Sequence, residues 1–122
     1  KKTSRSDGLV DLAGVQSLLE ASNAHDAAWV WSELPKAVQN GAEGLMERAR
    51  IEAGRKKHRK AVRYWKKALR KAKSHPEVHR EYGRYLASRK KKRQARKQLK
   101  TYLKLAPDAE DHAEVSVELE AL

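Results

Sequence analysis

Residues 61–72 read AVRYWKKALRKA, and this stretch decides the predicted fold. Its apolar residues recur at intervals of three and four, which places them on one stripe of an α-helix. Residues 95–106, ARKQLKTYLKLA, repeat the pattern 34 positions later. The two stripes consist of Ala61, Tyr64, Trp65, Ala68, Leu69 and Ala72, and of Ala95, Leu99, Tyr102, Leu103 and Ala106. Both stretches therefore predict amphipathic helices.

The period of 34 residues extends further towards the start of the chain. An alanine recurs at this period, with a large side chain four residues after it and a small or medium one twelve residues before it. The three sets are Ala27, Ala61 and Ala95; Trp31, Trp65 and Leu99; and Val15, Ala49 and Gly83. Two helices approach closely where side chains are small and lock where a large one fills the gap. The period therefore predicts repeated pairs of antiparallel helices.

The rest of the chain also fits helices, and no stretch alternates like a β-strand. Pro76 can open a helix and Pro107 can follow one, whereas Pro35 would kink or end a helix after Leu34, since an interior proline costs about 3 kcal/mol. We predict an all-α fold, a helical-hairpin solenoid of about seven antiparallel helices. The predicted ranges are 8–22, 25–39, 42–54, 58–73, 76–88, 92–105 and 108–121.

These residues resemble the tetratricopeptide repeat (TPR) family. Its pattern combines a small residue on the first helix of each pair with alanine, a large aromatic residue and a second alanine on the second helix, and a proline near the end. The matching residues are Val15, Ala27 and Trp31; Ala49, Ala61, Trp65 and Ala68; and Gly83, Ala95, Leu99 and Pro107, with Tyr102 in place of the second alanine. The resemblance covers about residues 8–122 and implies one domain there, and we predict a flexible N-terminal segment at 1–7. That domain would hold repeats at about 8–41, 42–75 and 76–109 and a capping helix at 110–122. Such stacks usually bind peptides or proteins.

Charge is unevenly distributed along the 122 residues. The formal net charge is +12, yet residues 47–104 hold 24 basic against four acidic side chains, and residues 105–122 net −6. This asymmetry indicates an acidic partner, a nucleic acid, or contact of the acidic C-terminal part with the basic middle of the same or a neighbouring chain. The last alternative includes self-association through the acidic C-terminal helix.

Composition also bears on the compartment. The chain has no cysteine, which fits a reducing compartment, and no apolar run near the roughly 20 residues that span a bilayer. We therefore predict a cytoplasmic protein without a membrane span. The first residue is Lys1 and not Met, which suggests a fragment of a larger protein.

Two sets of basic residues follow the 34-residue period. The basic edge comprises the predicted inter-helix turns, Arg55, Lys56, Lys57 and Arg59, and their equivalents Arg89, Lys90, Lys91 and Arg93. The basic rows lie on the second helices at Arg63, Lys66 and Arg70, and at Lys97, Lys100 and Lys104. A solvated face is one explanation of such rows. Like charges across neighbouring turns cost stability, however, so a bound anion is expected to offset them.

The first helices would line the groove of a TPR stack and carry a mixed surface. Our candidates for gripping an acidic peptide are Arg50, Arg80 and Arg84, with Met46 beside them. Clamping of a chaperone's C-terminal carboxylate is disfavoured, because several groove positions carry carboxylates that would repel it. These are Glu43, Glu47, Glu77 and Glu81.

Motifs of catalysis and metal binding are missing. The sequence has no Gly-rich phosphate loop, G-x-S-x-G elbow or H-E-x-x-H helix, so we expect no enzyme and no cofactor. His75 and His79 could share a helix face, but a helix that begins at Pro76 leaves His75 outside, so two exposed histidines are favoured over a metal site. Trp31 is the core candidate, and Trp29 is the candidate for a partly exposed contact residue.

The sequence thus predicts a non-catalytic protein–protein interaction module, scaffolding or regulatory, that binds an acidic peptide or protein surface. The alternative is a nucleic-acid-associated helical repeat whose rows follow the phosphate backbone without reading sequence. No recognised nucleic-acid motif supports the alternative, and the aromatic residues lie on core stripes.

Overall fold

The computed structural model describes residues 8–21 and 23–122, with side chains from Leu12 onward. The flexible segment predicted at 1–7 lies outside these residues. The described residues form eight helices and no strand. They are α1 (Gly8–Glu20), α2 (Ala24–Ser32), α3 (Lys36–Gln39), α4 (Ala42–Gly54), α5 (His58–Leu69), α6 (Glu77–Ser88), α7 (Lys92–Leu105) and α8 (His112–Glu120). The all-α prediction is confirmed, with eight helices in place of about seven.

The eighth helix arises at Pro35. The helix predicted over 25–39 is divided into α2 and α3, because Pro35 cannot donate a backbone hydrogen bond and instead stands before the first residue of α3. Gln39 helps to close the break. Its Nε2 donates to the carbonyl oxygens of Trp31 (3.1 Å) and Ser32 (3.2 Å) at the end of α2. The predicted effect of Pro35 is therefore confirmed, although the sequence did not show that a new short helix follows it.

Contacts divide the structure into two compact units, the first ending at Arg70 and the second running from Lys71 to Leu122. In the first unit α1 packs on α2, and α4 packs on α5 and on the preceding helices. Val15, Ala27 and Ile51 form a fully buried cluster there. The solenoid arrangement and the boundaries of a single domain stay predictions.

A close backbone approach joins α3 to α4. A Cβ atom on Gly44 would lie 1.9 Å from the carbonyl oxygen of Val38 and 2.8 Å from that of Gln39, so only glycine fits. The indole Nε1 of Trp31 donates to the Gly44 carbonyl oxygen at 2.8 Å. Trp31 is accordingly a half-buried side chain packed against the first core, as predicted, and Trp29 is 67% exposed.

In the second unit α6 pairs with α7, and α8 packs on α7. A Cβ atom on Gly83 would lie 2.8 Å from Cδ2 of Leu99, which confirms that this position needs a small residue opposite a large one. Leu99, Tyr102 and Val115 form the buried cluster of this unit.

Candidate interaction surface

The turns between α4 and α5 and between α6 and α7 have the same backbone form. In the first, the Lys57 N–H donates to the Glu52 carbonyl and the Lys56 N–H to the Ala53 carbonyl. In the second, the equivalent bonds run from Lys91 to Leu86 and from Lys90 to Ala87. This is the Schellman termination of a helix, whose left-handed position is usually glycine. Here lysine occupies it twice, with φ of 67° at Lys56 and 63° at Lys90.

These turns carry the predicted basic edge, and all eight of its side chains are exposed. Arg55 lies 3.6 Å from the carboxylate of Glu52 at the end of α4. The helices that follow, α5 and α7, have no acidic residue in their first turn and no side-chain cap at their start. Cations there oppose the helix dipole, so the edge is held at some cost in stability.

The predicted basic rows are exposed on their own helices. Arg63, Lys66 and Arg70 lie in the first unit, and Lys97, Lys100 and Lys104 in the second. Beside the row on α7 is a shallow concavity of about 370 Å³, lined by Arg93, Arg96, Lys97, Lys100 and Thr101. The stacking of one row on the other stays a prediction.

In the first unit, the structure places the predicted groove residues against other side chains of the chain. Arg50 Nη1 donates to Glu47 Oε2 at 2.7 Å, and its guanidinium lies 5.6 Å from the centre of the Trp65 ring. Glu47 also accepts from Gln16 Nε2 at 2.8 Å. Met46 is only 5% exposed, so it offers little surface to a partner. Arg50 and Glu47 line a cavity of about 820 Å³ together with residues of α1 and the turn residue Lys56.

In the second unit, Arg80 and Arg84 pair with the acidic C-terminal part. Arg84 donates from Nε and Nη2 to both oxygens of Glu118, at 2.9 and 2.8 Å. Arg80 Nη1 donates to Asp111 Oδ2 at 2.8 Å, and its Nε donates to Glu81 at 2.7 Å. The acidic end therefore does meet the basic middle within the same chain. An external anion would have to compete with these bidentate and networked pairs.

The protonation equilibria reflect the same network. Burial alone would lower the pKa of Arg80, but hydrogen bonds and charge from Glu81 and Asp111 outweigh it and raise the pKa. The hydrogen bond to Glu118 raises the pKa of Arg84. The pKa of Asp111 is lowered, first by the hydrogen bond that Tyr102 donates at 2.7 Å and then by Arg80. Burial, reinforced by Asp111, raises the pKa of Tyr102. Both arginines therefore remain charged, and Asp111 remains an anion.

Sequence reasoning missed a second charged cluster, on α4. The carboxylate of Glu52, 1% exposed, pairs with Arg48 Nη2 at 2.8 Å. The Arg48 guanidinium lies 4.8 Å from the centre of the Trp31 ring and 5.8 Å from that of Tyr64. The spacing of four between Arg48 and Glu52 was an available signal for the pair. The burial of Glu52, and the contacts of Arg48 with Trp31 on α2 and Tyr64 on α5, had no local signal.

The two histidines considered for a metal have other contacts. His75 Nδ1 lies 3.1 Å from Ser74 Oγ, and His79 Nδ1 lies 2.7 Å from Gln98 Oε1. Both are partly buried, not exposed as predicted. Within residues 8–21 and 23–122, no group of three or more His, Cys, Asp or Glu is placed to hold a metal ion. In the same part of the chain, no helix is both long and apolar enough to cross a membrane.

Comparison of the chain with protein-family models, with curated proteins and with solved structures returned no match. The TPR resemblance therefore stays a prediction from the spacing of the chain's own residues. A function for the chain is accordingly inferred from its surface.

Proposed function

We propose that the chain is a non-catalytic protein–protein interaction module of the cytoplasm that binds an acidic peptide or protein surface. The observation that carries the proposal is a contrast between two sets of cations. The eight side chains of the basic edge are exposed, and Arg55 among them also lies 3.6 Å from Glu52. In contrast, Arg50, Arg80 and Arg84 are half-buried and are paired with carboxylates of the chain itself at 2.7–2.8 Å. An acidic partner would accordingly meet the edge, and the groove arginines would hold the helices together.

The second unit has the surface that suits a protein partner best. Its turn at 89–93 is followed by the row on α7, and the same unit exposes two large apolar side chains, Leu105 (52%) and Val117 (65%). Protein interfaces combine charged and apolar contacts, and the charges mainly set the association rate and the partner choice. Docking would therefore be fast at low salt and selective for acidic surfaces.

Charge reversal of this edge tests the proposal. The variant carries glutamate at Arg89, Lys90, Lys91 and Arg93, and the probe is a fluorescent polyglutamate peptide followed by anisotropy. We expect at least a tenfold loss of affinity, about 1.4 kcal/mol, with helicity retained in circular dichroism. The matched variant carries the same change at Arg55, Lys56, Lys57 and Arg59 and is expected to lose less. Unchanged affinity in the first variant would reduce the edge to a solvated face. Equal losses of affinity in the two variants would mean that the peptide responds to the net charge of the chain and not to the turn at 89–93.

A further inference from the structure

The outward face of α5 consists entirely of cations. Between His58 and Leu69, every exposed side chain is Lys or Arg. The five are Arg59, Lys60, Arg63, Lys66 and Lys67. At 100° and 1.5 Å per residue they cover an arc of about 120° and a length of about 12 Å. The opposite side of the helix is the core, with Ala61, Trp65 and Ala68 buried.

The flanks of α5 continue this face. From residue 53 to residue 76 the chain contains 11 basic side chains and no acidic one. Arg59 and Arg63, and Arg63 and Lys67, are like-charge pairs four residues apart, each of which destabilises a helix by about 0.2–0.5 kcal/mol. Such a face gains from a ligand that supplies many negative charges.

The composition of the face discriminates between kinds of acidic ligand. A protein partner would need apolar or aromatic contacts at the centre of its interface, and the outward face of α5 exposes none. Tyr64 is half-buried, with Lys67 Nζ lying 5.0 Å from the centre of its ring and Arg48 also against it, so its ring does not offer a stacking platform for a base. The face therefore suits a regularly charged ligand that is contacted through its charges alone.

A double-helical nucleic acid has this property. It carries one phosphate charge per about 1.7 Å of axis when both strands are counted, so about 12 Å of duplex contains about seven phosphates, a density that matches the five cations. Release of condensed counterions then provides affinity without apolar contact. We propose that the α5 face binds the phosphate backbone of duplex nucleic acid without reading its sequence. This binding activity goes beyond the protein-binding proposal, and it rests on α5, which shares only Arg59 with the basic edge.

The test uses a matched pair of triple variants. The α5 variant is Arg63→Gln and Lys66→Gln, two of the five cations, together with Arg70→Gln at the residue that directly follows α5. The α7 variant is Lys97→Gln, Lys100→Gln and Lys104→Gln, which removes the same charge at positions 34 residues later. Fluorescence anisotropy measures binding to two duplexes of unrelated sequence over a series of NaCl concentrations, after circular dichroism has confirmed equal helicity.

We expect the wild-type chain to bind both duplexes equally. The slope of log K against log[NaCl] should become shallower by about 2–3 in the α5 variant, since each phosphate contact contributes about 0.9, and by less than one in the α7 variant. An unchanged slope in the α5 variant, or equal changes in both variants, would overturn the inference. Polyglutamate at equal charge concentration should displace the duplex poorly. If polyglutamate displaced the duplex efficiently, the α5 face would be assigned to acidic peptides, and the inference of duplex binding would be overturned. The turn at 89–93 is intact in both variants, so a failure here is distinct from failure of the protein-binding proposal.

Discussion

At the scale of single residues, Lys56 and Lys90 occupy left-handed backbone positions that favour glycine. We expect Lys56→Gly and Lys90→Gly each to raise the free energy of unfolding by up to about 1 kcal/mol, because a side chain in this conformation costs about that much. Urea denaturation measures the change. Lys66→Gly, within α5, makes the same chemical change in a helical conformation and should lower it by about 1 kcal/mol. A loss at Lys56 or Lys90 as large as that at Lys66 would contradict the explanation.

Gly44 offers a second prediction at this scale, with the opposite sign. A Cβ atom there meets the backbone oxygens of Val38 and Gln39, which cannot move without shifting α3. We expect Gly44→Ala to destabilise the chain by about 1–3 kcal/mol in urea denaturation. A Cβ atom on Gly14 in α1 would meet nothing within 4 Å, so Gly14→Ala should stabilise by about 0.5–1 kcal/mol. Similar values for the two substitutions would disprove the close contact of α3 with α4.

At the scale of the element, α4 buries Glu52 and pairs it with Arg48, whose side chain is 19% exposed. Removing one member of a buried pair leaves an uncompensated charge and costs about 3–5 kcal/mol, whereas replacing both by apolar groups is often neutral. We therefore expect Arg48→Met to destabilise by about 3 kcal/mol, partly mitigated by Arg55. Addition of Glu52→Leu should recover most of that loss. The unfolding free energies of both single variants and the double variant, measured in urea, test this. Additive losses would show that the two side chains do not act as a pair.

The attachment of α8 provides a pH-dependent prediction. The pKa of Asp111 is below its ordinary value of 3.8, so its contribution is present at pH 7 and is lost as the pH falls through the lowered value. We expect Asp111→Asn to cost about 1–2 kcal/mol at pH 7. The gap between the variant and the wild type should begin to narrow below about pH 4 and close as the pH falls through the lowered pKa of Asp111. Asp108→Asn, at an exposed position, is the control and should show a small gap at both pH values. A gap for Asp111→Asn that persists in acid would exclude the carboxylate as its cause.

The helices show which parts of the fold follow from local sequence. Both hairpins were predicted, since apolar periodicity and small residues 34 apart are local signals, and Pro35 correctly divided the second predicted helix. The ends were less predictable. The apolar stripe continues to Ala72, which is buried, but α5 ends at Leu69, where backbone bonds shorten to the i→i−3 type at Arg70. Likewise α8 begins at His112 and not near 108. Two single turns precede it, closed by hydrogen bonds from the Ala109 N–H to the Ala106 carbonyl and from the His112 N–H to the Ala109 carbonyl. Periodicity records which residues are buried and not where the backbone leaves the helix.

At the scale of the whole molecule, the exposed cations could be listed from the sequence, but the pairing of the others could not. Arg80 and Asp111 are 31 residues apart, and Arg84 and Glu118 are 34 apart. Only the packing of α8 within its unit brings each carboxylate to its arginine. A sequence pattern cannot tell an arginine that waits for a ligand from one already paired. For this reason the basic edge and rows persist as candidates, and the predicted groove loses its available cations.

Net charge leads to a prediction for the entire chain. The net charge of +12 is concentrated at residues 47–104, so repulsion among the exposed cations opposes folding. At physiological ionic strength, salt largely screens the repulsion between cations that are more than about 8–10 Å apart. We therefore expect the thermal midpoint to rise by a few degrees between low salt and physiological NaCl, while duplex binding weakens over the same range. The α5 triple variant should start from a higher midpoint and gain less from salt, because part of the repulsion has been removed. A midpoint that falls with salt would mean that the ion pairs of Arg80, Arg84 and Arg48 outweigh the repulsion. The cationic faces would then not destabilise the folded chain, and the argument that a bound anion must offset their repulsion would lose its basis.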